Sequence, residues 1–328
     1  MRCISRAKSV ALVCVASISL FTGGCIGGKG ATPVTAYELK NYNQDLYQGK
    51  LYAEELCVAQ NDVALEGYTE DTELHSAALF DLTGERVLYS YKAHERLYPA
   101  STTKIMTALL AIENANLDDQ VTISGNADAS SFSADAQVCG LAKGEVWTLR
   151  DLLGALLLYS GNDAATAIAE YVGGSEEAFV NMMNRRAQEL MANGTHFMNP
   201  HGLHDDNHYT TAYDLYLIFN ECIKHEDFVN IIQSEAYTAY YTDVDGNSQE
   251  ALFTPTNLYA QGEVDVPENV TIVGGKTGTT DEAGYCLILM EKDSSDNPYI
   301  SIVMGASEKP VLYEDMTSLI EAIPSGQQ

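Results

Sequence analysis

Segments that alternate like β-strands lie near both ends of the globular part of the chain, and a long block with helical periodicity separates them. Before the block, Ser76–Asp81 and Arg86–Tyr91 flank a turn that contains glycine, which predicts a hairpin. After the block, residues 270–273, 283–291 and 299–306 again have a strand-like pattern. Strands so far apart can share one sheet if the block between them is an insertion. We therefore predict an α/β (α+β) fold, an antiparallel sheet flanked by helices with an inserted all-helical lobe.

Apolar residues recur at spacings of three and four through the block and again after the last strand. Pro99 ends an extended stretch and places a helix start near Ser101. Clusters of Gly, Asn and Pro separate the later helices, and the final helix is expected to pack back on the sheet. The predicted helices are 101–114, 149–159, 163–171, 176–191, 212–224 and 311–323.

The charge of the chain limits its partners. The 328 residues include 46 acidic and 18 basic side chains, which gives a net charge of −28. Phosphate recognition needs a basic face, so this charge argues against a nucleic-acid partner. Apolar-class residues make up 46% of the chain, close to the globular average, which excludes wholesale disorder and a protein with many membrane spans.

The first 25 residues differ in kind from the rest. A basic stub and an apolar run over 10–21 lead to small residues and Cys25, the order of an export signal, so we predict a signal peptide over 1–24. The run is shorter than the roughly 20 residues that a membrane-spanning helix needs. Cys25 follows two glycines and resembles a lipobox cysteine, which would be lipidated after cleavage. Ordinary cleavage with an incidental Cys25 is the alternative.

Further segments are expected between the leader and the globular domain. Residues 25–35 are predicted to hold the lipid attachment site and a flexible tether. Residues 36–72 form an N-terminal extension, in which 36–60 carries Leu and Tyr at helical spacing and predicts an amphipathic helix. The domain itself is assigned to 73–328. The role of the extension stays open.

Four cysteines follow Cys25 along the chain. Their wide spacing contains no C-x-x-C pair, which argues against a zinc site and against a disulfide-dense scaffold. We predict buried free thiols, although an exported protein could form disulfides. These residues are Cys57, Cys139, Cys222 and Cys286.

Ser101-Thr102-Thr103-Lys104 stands at the predicted start of a helix. Ser101 and Lys104 are three residues apart, so they share a helix face and their side chains can form a hydrogen bond. A serine needs an adjacent base to act as a nucleophile, and a lysine is a base only where burial or a second cation disfavours its charge. The helix N-terminus would also direct N–H groups at a developing oxyanion. Alone, the pair favours a helix-capping serine and a solvated lysine, because both residues are common.

Two further motifs could supply partners for this chemistry. Ser160-Gly161-Asn162 lies in the predicted turn between two helices, where a hydroxyl can relay a proton and an amide can hold a peptide carbonyl. Helix capping is the alternative there. Lys276-Thr277-Gly278-Thr279 follows the predicted strand 271–273 and precedes another strand. An extended peptide could pair with this edge, where Gly278 permits close approach, and Lys276 would disfavour a charge on Lys104.

In this order the three motifs resemble those of the serine penicillin-recognising enzymes. The neighbouring segments resemble the low-molecular-mass D-alanyl-D-alanine carboxypeptidases over roughly residues 75–323. The tripeptide SGN, in place of SDN, favours that group over the common β-lactamases. The segments are PASTTKIMTALLAIE (99–113), LLLYSGNDAATAIAEYVGG (156–174), THFMNPHGL (195–203), HYTTAYDL (208–215) and GGKTGTTDEAGYCLI (274–288).

The resemblance implies a β-lactamase/DD-peptidase-like fold, with 73–328 as the catalytic domain of an exported enzyme. Ser101 would attack the carbonyl between the two terminal D-alanines of a peptidoglycan stem peptide, and Lys104 would accept its proton. Ser160 would pass a proton to the departing amine. Water would then release the shortened peptide from the acyl-enzyme, and β-lactams would inhibit by acylating Ser101.

The resemblance also implies how the substrate is bound. Asn162 would hold the amide side of the peptide, while Lys276, Thr277 and Thr279 around Gly278 would hold its terminal carboxylate. The backbone N–H groups of Ser101 and Thr279 would form the oxyanion hole. A lipid on Cys25 would anchor the protein at the extracytoplasmic face of the membrane, and without a lipid it would be secreted.

The sequence departs from its relatives at the carboxylate end of the site. Many relatives carry an arginine just after the strand that corresponds to 299–306, and it helps to bind the substrate carboxylate. Here that stretch reads GASEKP (305–310), and no arginine follows Arg186. Carboxylate binding would then depend on Lys309 or on the threonines.

The histidine-rich run 201–208 raises the question of a metal, because histidines three residues apart with acids between them could ligate zinc. The resemblance assigns this run to structure beside the site. We therefore predict no metal and no cofactor.

Other functions remain open at this point. A β-lactamase would share the acylation chemistry but would need a deacylating base, which the sequence does not reveal. A non-catalytic lipoprotein that binds β-lactams or cell-wall peptides would not need an activated serine. Transpeptidase or endopeptidase activity also stays open, because the acyl acceptor is not encoded in these motifs.

Overall fold

The structure, a computed structural model, describes residues 55–65 and 76–324 of the chain. The strands are β1 (Ser76–Asp81), β2 (Arg86–Tyr91), β3 (Gln120–Thr122), β4 (Val146–Thr148), β5 (Tyr237–Thr242), β6 (Ser248–Phe253), β7 (Val270–Thr280), β8 (Gly284–Asp293) and β9 (Pro298–Ala306). The α-helices are α1 (Lys104–Asn114), α2 (Leu149–Gly154), α3 (Asn162–Gly173), α4 (Glu176–Glu189), α5 (Ala212–Cys222), α6 (Glu226–Ile232), α7 (Leu258–Gln261) and α8 (Lys309–Glu321).

A five-stranded antiparallel sheet in the order β2-β1-β9-β8-β7 joins the two ends of the domain. All six residues of β1 are buried because the strand lies inside the sheet and is covered on both faces. Side chains of β8 alternate between the faces: Ile288 packs in the core under the inserted lobe, and Leu287 packs in the core under α8. The predicted antiparallel sheet flanked by helices is confirmed.

Helix α1 is the centre of the inserted lobe. Its first eight residues, Lys104 to Ala111, are all buried, so it is apolar around most of its circumference and is enclosed by neighbouring helices. Side-chain caps fix the starts of the helices around it: Thr148 accepts a hydrogen bond from the Asp151 N–H, and Thr211 from the Asp214 N–H. These capping residues define where the two helices begin.

The predicted helix over 149–159 is divided into two parts. The α-helix α2 ends at Gly154, and a π-helical turn continues through Ala155–Tyr159. Ser160 then adopts a left-handed conformation with φ of 72°, which ends the helical run and turns the chain into α3. A π turn in this position often accompanies a functional site.

The inserted lobe also contains β-structure, which the sequence analysis did not predict. A four-stranded sheet in the order β3-β4-β5-β6 lies within it. Its first two strands have three residues each, too short to show an alternating pattern, and β4 pairs with β5 about ninety residues later along the chain. Trp147 of β4 stacks on Tyr241 of β5, with 4.2 Å between the ring centroids.

The predictions for the N-terminal region fall mainly outside the described residues. The signal peptide over 1–24, the lipidated Cys25, the tether over 25–35 and most of the 36–72 extension belong to that part. Within the described segment 55–65, Val63 pairs with Ser90 of β2, and the Cys57 N–H donates to the Tyr216 hydroxyl at 2.9 Å.

The four predicted free thiols are all described, and none is in a disulfide. Cys57, Cys222 and Cys286 are buried, as predicted, and Cys139 is partly buried.

Candidate active site

Ser101 lies in a tight turn of 3-10 helix, Ala100–Thr103, immediately before α1. Pro99 precedes this turn, and the Thr102 hydroxyl donates to the Pro99 carbonyl at 2.7 Å. The preceding residue, Ala100, has a φ of 46°, an uncommon value for a residue with a Cβ atom. Its carbonyl packs against Gly202, where an added Cβ would lie 1.8 Å from the Ala100 oxygen. The loop that contains Gly202 therefore packs directly against the backbone of the serine turn.

Lys104, one helical turn further on, lies beside the Ser101 hydroxyl. Its Nζ donates to Ser101 Oγ at 2.8 Å, to Asn162 Oδ1 at 2.7 Å and to the His201 carbonyl at 2.7 Å. The side chain is completely buried. Burial lowers the pKa of Lys104 well below its ordinary value, and the charge of Lys276 lowers it further. These shifts favour the neutral amine, the form that can accept a proton from a serine.

Lys276 and Ser160 form a second lysine–serine pair. Lys276 Nζ donates to Ser160 Oγ at 2.9 Å and to the Thr277 carbonyl at 2.8 Å. Burial lowers the pKa of Lys276 to about 7. The pair joins β7 to the turn between the helices, and it places a second hydroxyl at the same cavity as Ser101.

The segment Lys276-Thr277-Gly278-Thr279 lies inside β7, whereas the sequence analysis placed it between two strands. The reason for this difference is the glycine pair that precedes Lys276, because glycine pairs are typical of turns. An added Cβ at Gly274 would lie 2.0 Å from the Ile232 carbonyl oxygen, and at Gly275 1.9 Å from that of Ile288. These glycines therefore allow close backbone packing within a continuous strand.

The outer edge of β7 lies next to Ser101. This strand is the last in its sheet, so its outer edge is not paired with another strand of that sheet. Gly278 packs on the serine turn, where an added Cβ would lie 3.0 Å from the Ser101 nitrogen. Lys276 and Gly278 are buried, while Thr277 and Thr279 are more exposed. An extended peptide laid along this edge would therefore pass directly over the Ser101 hydroxyl.

Asp163 positions the Ser160–Asn162 turn, and the sequence analysis did not identify this residue. Its completely buried carboxylate accepts four backbone hydrogen bonds, from the N–H groups of Cys139, Gly140, Leu141 and Ala164 at 2.9, 2.9, 3.1 and 2.9 Å. Three consecutive N–H groups that converge on one anion form a nest. The local sequence offered one signal, an acidic residue in the first turn of a predicted helix.

The same loop is joined to the turn through Gln137. The Asn162 N–H donates to the Gln137 carbonyl at 2.8 Å, and Gln137 Nε2 donates to the Tyr159 carbonyl at 3.2 Å. The loop over residues 132–141 is therefore held against one side of the site.

These elements enclose a cavity of about 360 Å³. Its lining residues come from the 132–141 loop, the Ser160 turn, the edge of β7 and the start of α8. The motif residues at its surface are Ser101, Ser160, Asn162, Thr277, Gly278 and Thr279. A second cavity, of about 590 Å³, lies beyond the β7–β8 turn and is lined by none of these residues.

The histidine-rich run 201–208 makes hydrogen bonds to Thr103 and Lys104 at the start of α1. The His208 side chain accepts from the Met198 N–H through Nδ1 at 3.1 Å, so its Nε2 carries the proton and donates to Thr103 Oγ1 at 2.8 Å. Burial lowers the pKa of His208 to about 4, which keeps the ring neutral. The His201 carbonyl bonds to Lys104, so this run is engaged in positioning the helix start.

One other group of side chains has the spacing of metal ligands among the described residues: Glu113, Glu221 and His225. Arg186 lies between its carboxylates, 2.6 Å from Glu113 and 3.3 Å from Glu221. The guanidinium already supplies the positive charge there, and no motif residue takes part.

Comparisons with known proteins agree with this geometry. Residues 64–308 match the family described as D-alanyl-D-alanine carboxypeptidase, peptidase S11. D-alanyl-D-alanine carboxypeptidase DacF of Bacillus subtilis is 34% identical over 254 residues, which cover 76% of this chain and 61% of the relative. D-alanyl-D-alanine carboxypeptidase DacC of Escherichia coli is 31% identical over 249 residues, which cover 74% and 59%. The chain spans about three fifths of the length of these relatives.

A solved structure has the same architecture. The crystal structure of the Streptomyces K15 DD-transpeptidase superposes with a TM-score of 0.71 at 28% sequence identity, over 78% of this chain and 98% of that one.

Proposed function

The chain belongs to the D-alanyl-D-alanine carboxypeptidase family, and from this premise we propose that it is a serine carboxypeptidase of peptidoglycan stem peptides. The observation that carries the proposal is the buried pair Ser101–Lys104, with 2.8 Å between Oγ and Nζ, beside the second pair Ser160–Lys276. A capping serine with a solvated lysine would leave the lysine exposed, whereas Lys104 has no exposed surface.

In the first step of the proposed reaction, neutral Lys104 accepts the Ser101 proton as Oγ attacks the carbonyl between the two terminal D-alanines. The peptide carbonyl becomes an oxyanion. The N–H groups of Ser101 and Thr279 are proposed to stabilise it, and the close packing of Gly278 on the Ser101 nitrogen brings the two backbone segments together.

The tetrahedral intermediate then expels the terminal D-alanine. Its amine needs a proton, which Ser160 is proposed to relay from Lys276, since Ser160 Oγ lies 2.9 Å from Lys276 Nζ. A pKa of about 7 suits Lys276 to this exchange, because such a group gives up and regains a proton near neutral pH. Water then attacks the Ser101 ester and gives up a proton that replaces the one lost from Lys276, while the proton held by Lys104 returns to Ser101 Oγ as the shortened peptide leaves.

Substrate binding is proposed to use residues of the Ser160 turn and of β7, which both line the cavity. Asn162 would hold the amide of the acyl side. The hydroxyls of Thr277 and Thr279, with the positive charge of Lys276, would hold the terminal carboxylate. The Thr277 hydroxyl is positioned by Thr256, with 2.6 Å between the two oxygens. β-Lactams would enter the same groove as analogues of the D-Ala-D-Ala end and acylate Ser101.

The location of this activity is proposed from the N-terminal sequence. The leader over 1–24 would direct export, and lipidation of Cys25 would hold the enzyme at the outer face of the membrane, next to its peptidoglycan substrate. Among the described residues, the helices are all too short or too polar to cross a bilayer.

The test uses the full-length chain with the peptide diacetyl-Lys-D-Ala-D-Ala, and free D-alanine is measured. A labelled penicillin is used in parallel. We expect D-alanine release and labelling, both lost in Ser101→Ala and retained in Ser318→Ala, which removes a hydroxyl on the exposed surface of α8. Labelling without D-alanine release would overturn the carboxypeptidase proposal and indicate a β-lactam binder. Rapid loss of the label with release of hydrolysed penicillin would indicate a β-lactamase.

A further inference from the structure

A cavity of about 410 Å³ lies between the end of α6 and the first half of β7. Its lining comes from residues 232–235, from α7 and the residue before it, from Val266, and from residues 270–274 of β7. We call it the α6–β7 cavity. It shares no lining residue with the cavity beside Ser101, and its volume is in the range of small-molecule sites.

Asn257 is a buried residue at this cavity with an unused hydrogen-bond donor. It is 5% exposed, and its Oδ1 accepts a hydrogen bond from the Tyr259 N–H at 3.0 Å. That contact identifies the other end of the amide as Nδ2. Across residues 55–65 and 76–324, Nδ2 has no hydrogen-bond acceptor. A buried amide donor without an acceptor costs free energy, so the cavity favours a ligand that offers an oxygen to Asn257.

The outer edge of β7 adds backbone groups to the same cavity. This strand is the last in its sheet, and residues 270–274 line the cavity. Outside their pairing with β8, these residues make no backbone hydrogen bond to the part of the chain that the structure describes. Their outward N–H and C=O groups therefore offer a donor and an acceptor side by side. An acetamido group, which has one N–H and one carbonyl, is complementary to such an edge.

The charge around the cavity disfavours an anionic ligand. Among the described residues that line it, only Glu235 carries a formal charge. The sequence has no lysine or arginine between Lys224 and Lys276. A phosphate, or a stem peptide that ends in a carboxylate, would therefore meet like charge without a compensating cation. The Glu235 carboxylate can instead accept hydrogen bonds from hydroxyl groups.

Apolar surface completes the lining. Val266 is 42% exposed at the cavity, and Tyr259 adds an aromatic side chain. A ligand that fits this lining is neutral and has hydroxyl groups, amide groups and apolar faces. An N-acetylated sugar combines all of these features.

We propose that the α6–β7 cavity binds an N-acetylated sugar unit of the peptidoglycan glycan chain. This inference rests on the proposed function and adds a glycan subsite to it. Asn257 Nδ2 donates to an oxygen of the sugar, the edge of β7 pairs with its acetamido group, and Glu235 accepts from its hydroxyl groups.

The two cavities are neighbours, which connects this subsite to the reaction. Tyr259 lines the α6–β7 cavity, and its ring contacts the Tyr313 ring edge-on with 5.4 Å between the centroids. Tyr313 lines the cavity beside Ser101, as does Thr256, the residue before Asn257. A glycan chain held in the first cavity would therefore present its stem peptides to Ser101 at a raised effective concentration.

The first test measures binding of the neutral trisaccharide tri-N-acetylchitotriose to the full-length chain by isothermal titration calorimetry. We expect saturable binding that is weakened about fivefold or more in Asn257→Asp, which keeps the oxygen that caps Tyr259 and replaces the Nδ2 donor. The matched control is Asn116→Asp, since the Asn116 Oδ1 also accepts from an N–H two residues later, at 3.1 Å, in an exposed turn. Absence of saturable binding, or equal binding in Asn257→Asp and the unchanged chain, would overturn the inference.

A second variant tests the cavity without changing a hydrogen bond. Ala260 is an exposed residue of α7 at the cavity surface, so Ala260→Trp should fill the cavity and abolish trisaccharide binding, whereas Ala260→Ser should retain it. Binding that survives Ala260→Trp would place the sugar elsewhere. The neutral peptide N-acetyl-tetra-alanine amide is titrated in parallel. If it binds in an Asn257-dependent manner and the trisaccharide does not, the edge of β7 receives a peptide and the sugar assignment is wrong.

A turnover measurement tests the connection to Ser101. D-alanine release is compared for soluble glycan fragments that carry stem peptides and for the same stem peptide without sugar. We expect kcat/KM per peptide to be about fivefold higher for the glycan-linked form, through a lower KM, and the ratio to approach one in Asn257→Asp. Equal kcat/KM for the two substrates in the unchanged chain would overturn the connection.

The binding measurement separates this inference from the proposed function, because trisaccharide binding needs no turnover. If no D-alanine is released but the trisaccharide binds through Asn257, the carboxypeptidase proposal fails and the sugar site stands. If D-alanine is released and the trisaccharide does not bind, the sugar site fails and the carboxypeptidase proposal stands.

Discussion

Lys276 Nζ lies 2.9 Å from Ser160 Oγ, a contact that links residues 116 positions apart in the sequence. The contact repeats, at the same cavity, the pairing of Lys104 with Ser101 at 2.8 Å. Both lysines are essentially inaccessible to solvent, at 0% and 1% exposure. Burial disfavours a charge on each lysine, and the charge of Lys276 further favours the neutral form of Lys104.

This coupling predicts how the pH dependence of acylation will respond to Lys276→Gln. The substitution removes a positive charge that lowers the pKa of Lys104. The pKa of Lys104 should then rise, so a higher pH is needed to obtain the neutral base. We expect the acid limb of penicillin acylation to move to higher pH, and the rate constant at pH 7 to fall by about tenfold or more. Lys292→Gln, at a partly exposed lysine of β8 that pairs with Asp296, should leave the limb in place. An unmoved limb in Lys276→Gln would contradict the coupling.

Two glycines with the same backbone angle allow a controlled test of the serine turn. Gly140 and Gly202 both have φ of 89°, but an added Cβ meets nothing within 4 Å at Gly140 and lies 1.8 Å from the Ala100 carbonyl oxygen at Gly202. Each Gly→Ala change should cost about 1–2 kcal/mol for the left-handed backbone. Gly202→Ala should cost about 1–3 kcal/mol more and should slow penicillin acylation, because it displaces the turn that carries Ser101. Equal losses of stability and acylation in the two variants would refute this role of Gly202.

Asp163→Asn tests the anion nest under the Ser160 turn. An amide in place of the carboxylate directs an NH2 group at backbone N–H groups and removes the charge that they share. We expect the free energy of unfolding to fall by about 3 kcal/mol, measured by denaturant titration. Acylation of Ser101 should also slow, because Asn162 and the 132–141 loop lose their common anchor.

The matched control for that variant is Asp128→Asn. Asp128 also accepts backbone hydrogen bonds, from Ser130 and Lys143, but it does so in an exposed turn. We expect a loss below about 1 kcal/mol there. If Asp163→Asn is no more costly than Asp128→Asn, the nest is not an anchor of the site.

Glu291 is a completely buried residue of β8, outside the candidate site. Its burial should make the stability of the protein depend on pH. Burial raises the pKa of its carboxyl well above the ordinary value. Stability from a group of this kind is present at low pH, where the group is protonated in both states, and it is lost as the pH rises toward the folded-state pKa. Glu291→Gln should therefore leave stability unchanged near pH 4 and increase it by about 1–2 kcal/mol near pH 8. Thermal unfolding at both pH values measures this, with the exposed Glu250→Gln as control, and an equal effect at both values would contradict the assignment.

Local patterns were sufficient to predict the main sheet. The boundaries of β1 and β2 agree with the alternation in the sequence, and the pattern over 299–306 differs from β9 by one residue. These strands have six to nine residues, enough for their apolar residues to stand out from the flanking turns. In the second sheet, β3 and β4 have three residues each and are stabilised by partners far along the chain, a property that no local window contains.

The structural role of the glycine pair Gly274-Gly275 could not be predicted from the sequence alone. The pair before Lys276 was interpreted as the end of a strand, but its function is to let the Ile232 and Ile288 carbonyls pack against β7. A glycine that forms a turn and a glycine that permits close backbone packing can have the same local sequence. The distinction depends on what lies opposite, which is tertiary information.

The sequence by itself determined the chemical groups and their local arrangement. It placed Ser101 and Lys104 on one face at the start of a helix, and it set the order of the three motifs along the chain. The tertiary structure decided the environment of these groups. It buried Lys104 and Lys276, brought Lys276 to Ser160 and placed the Asp163 carboxylate in a nest of backbone N–H groups. The physical reason is that a lysine becomes a base through desolvation and nearby charge, and both arise from contacts between distant parts of the chain.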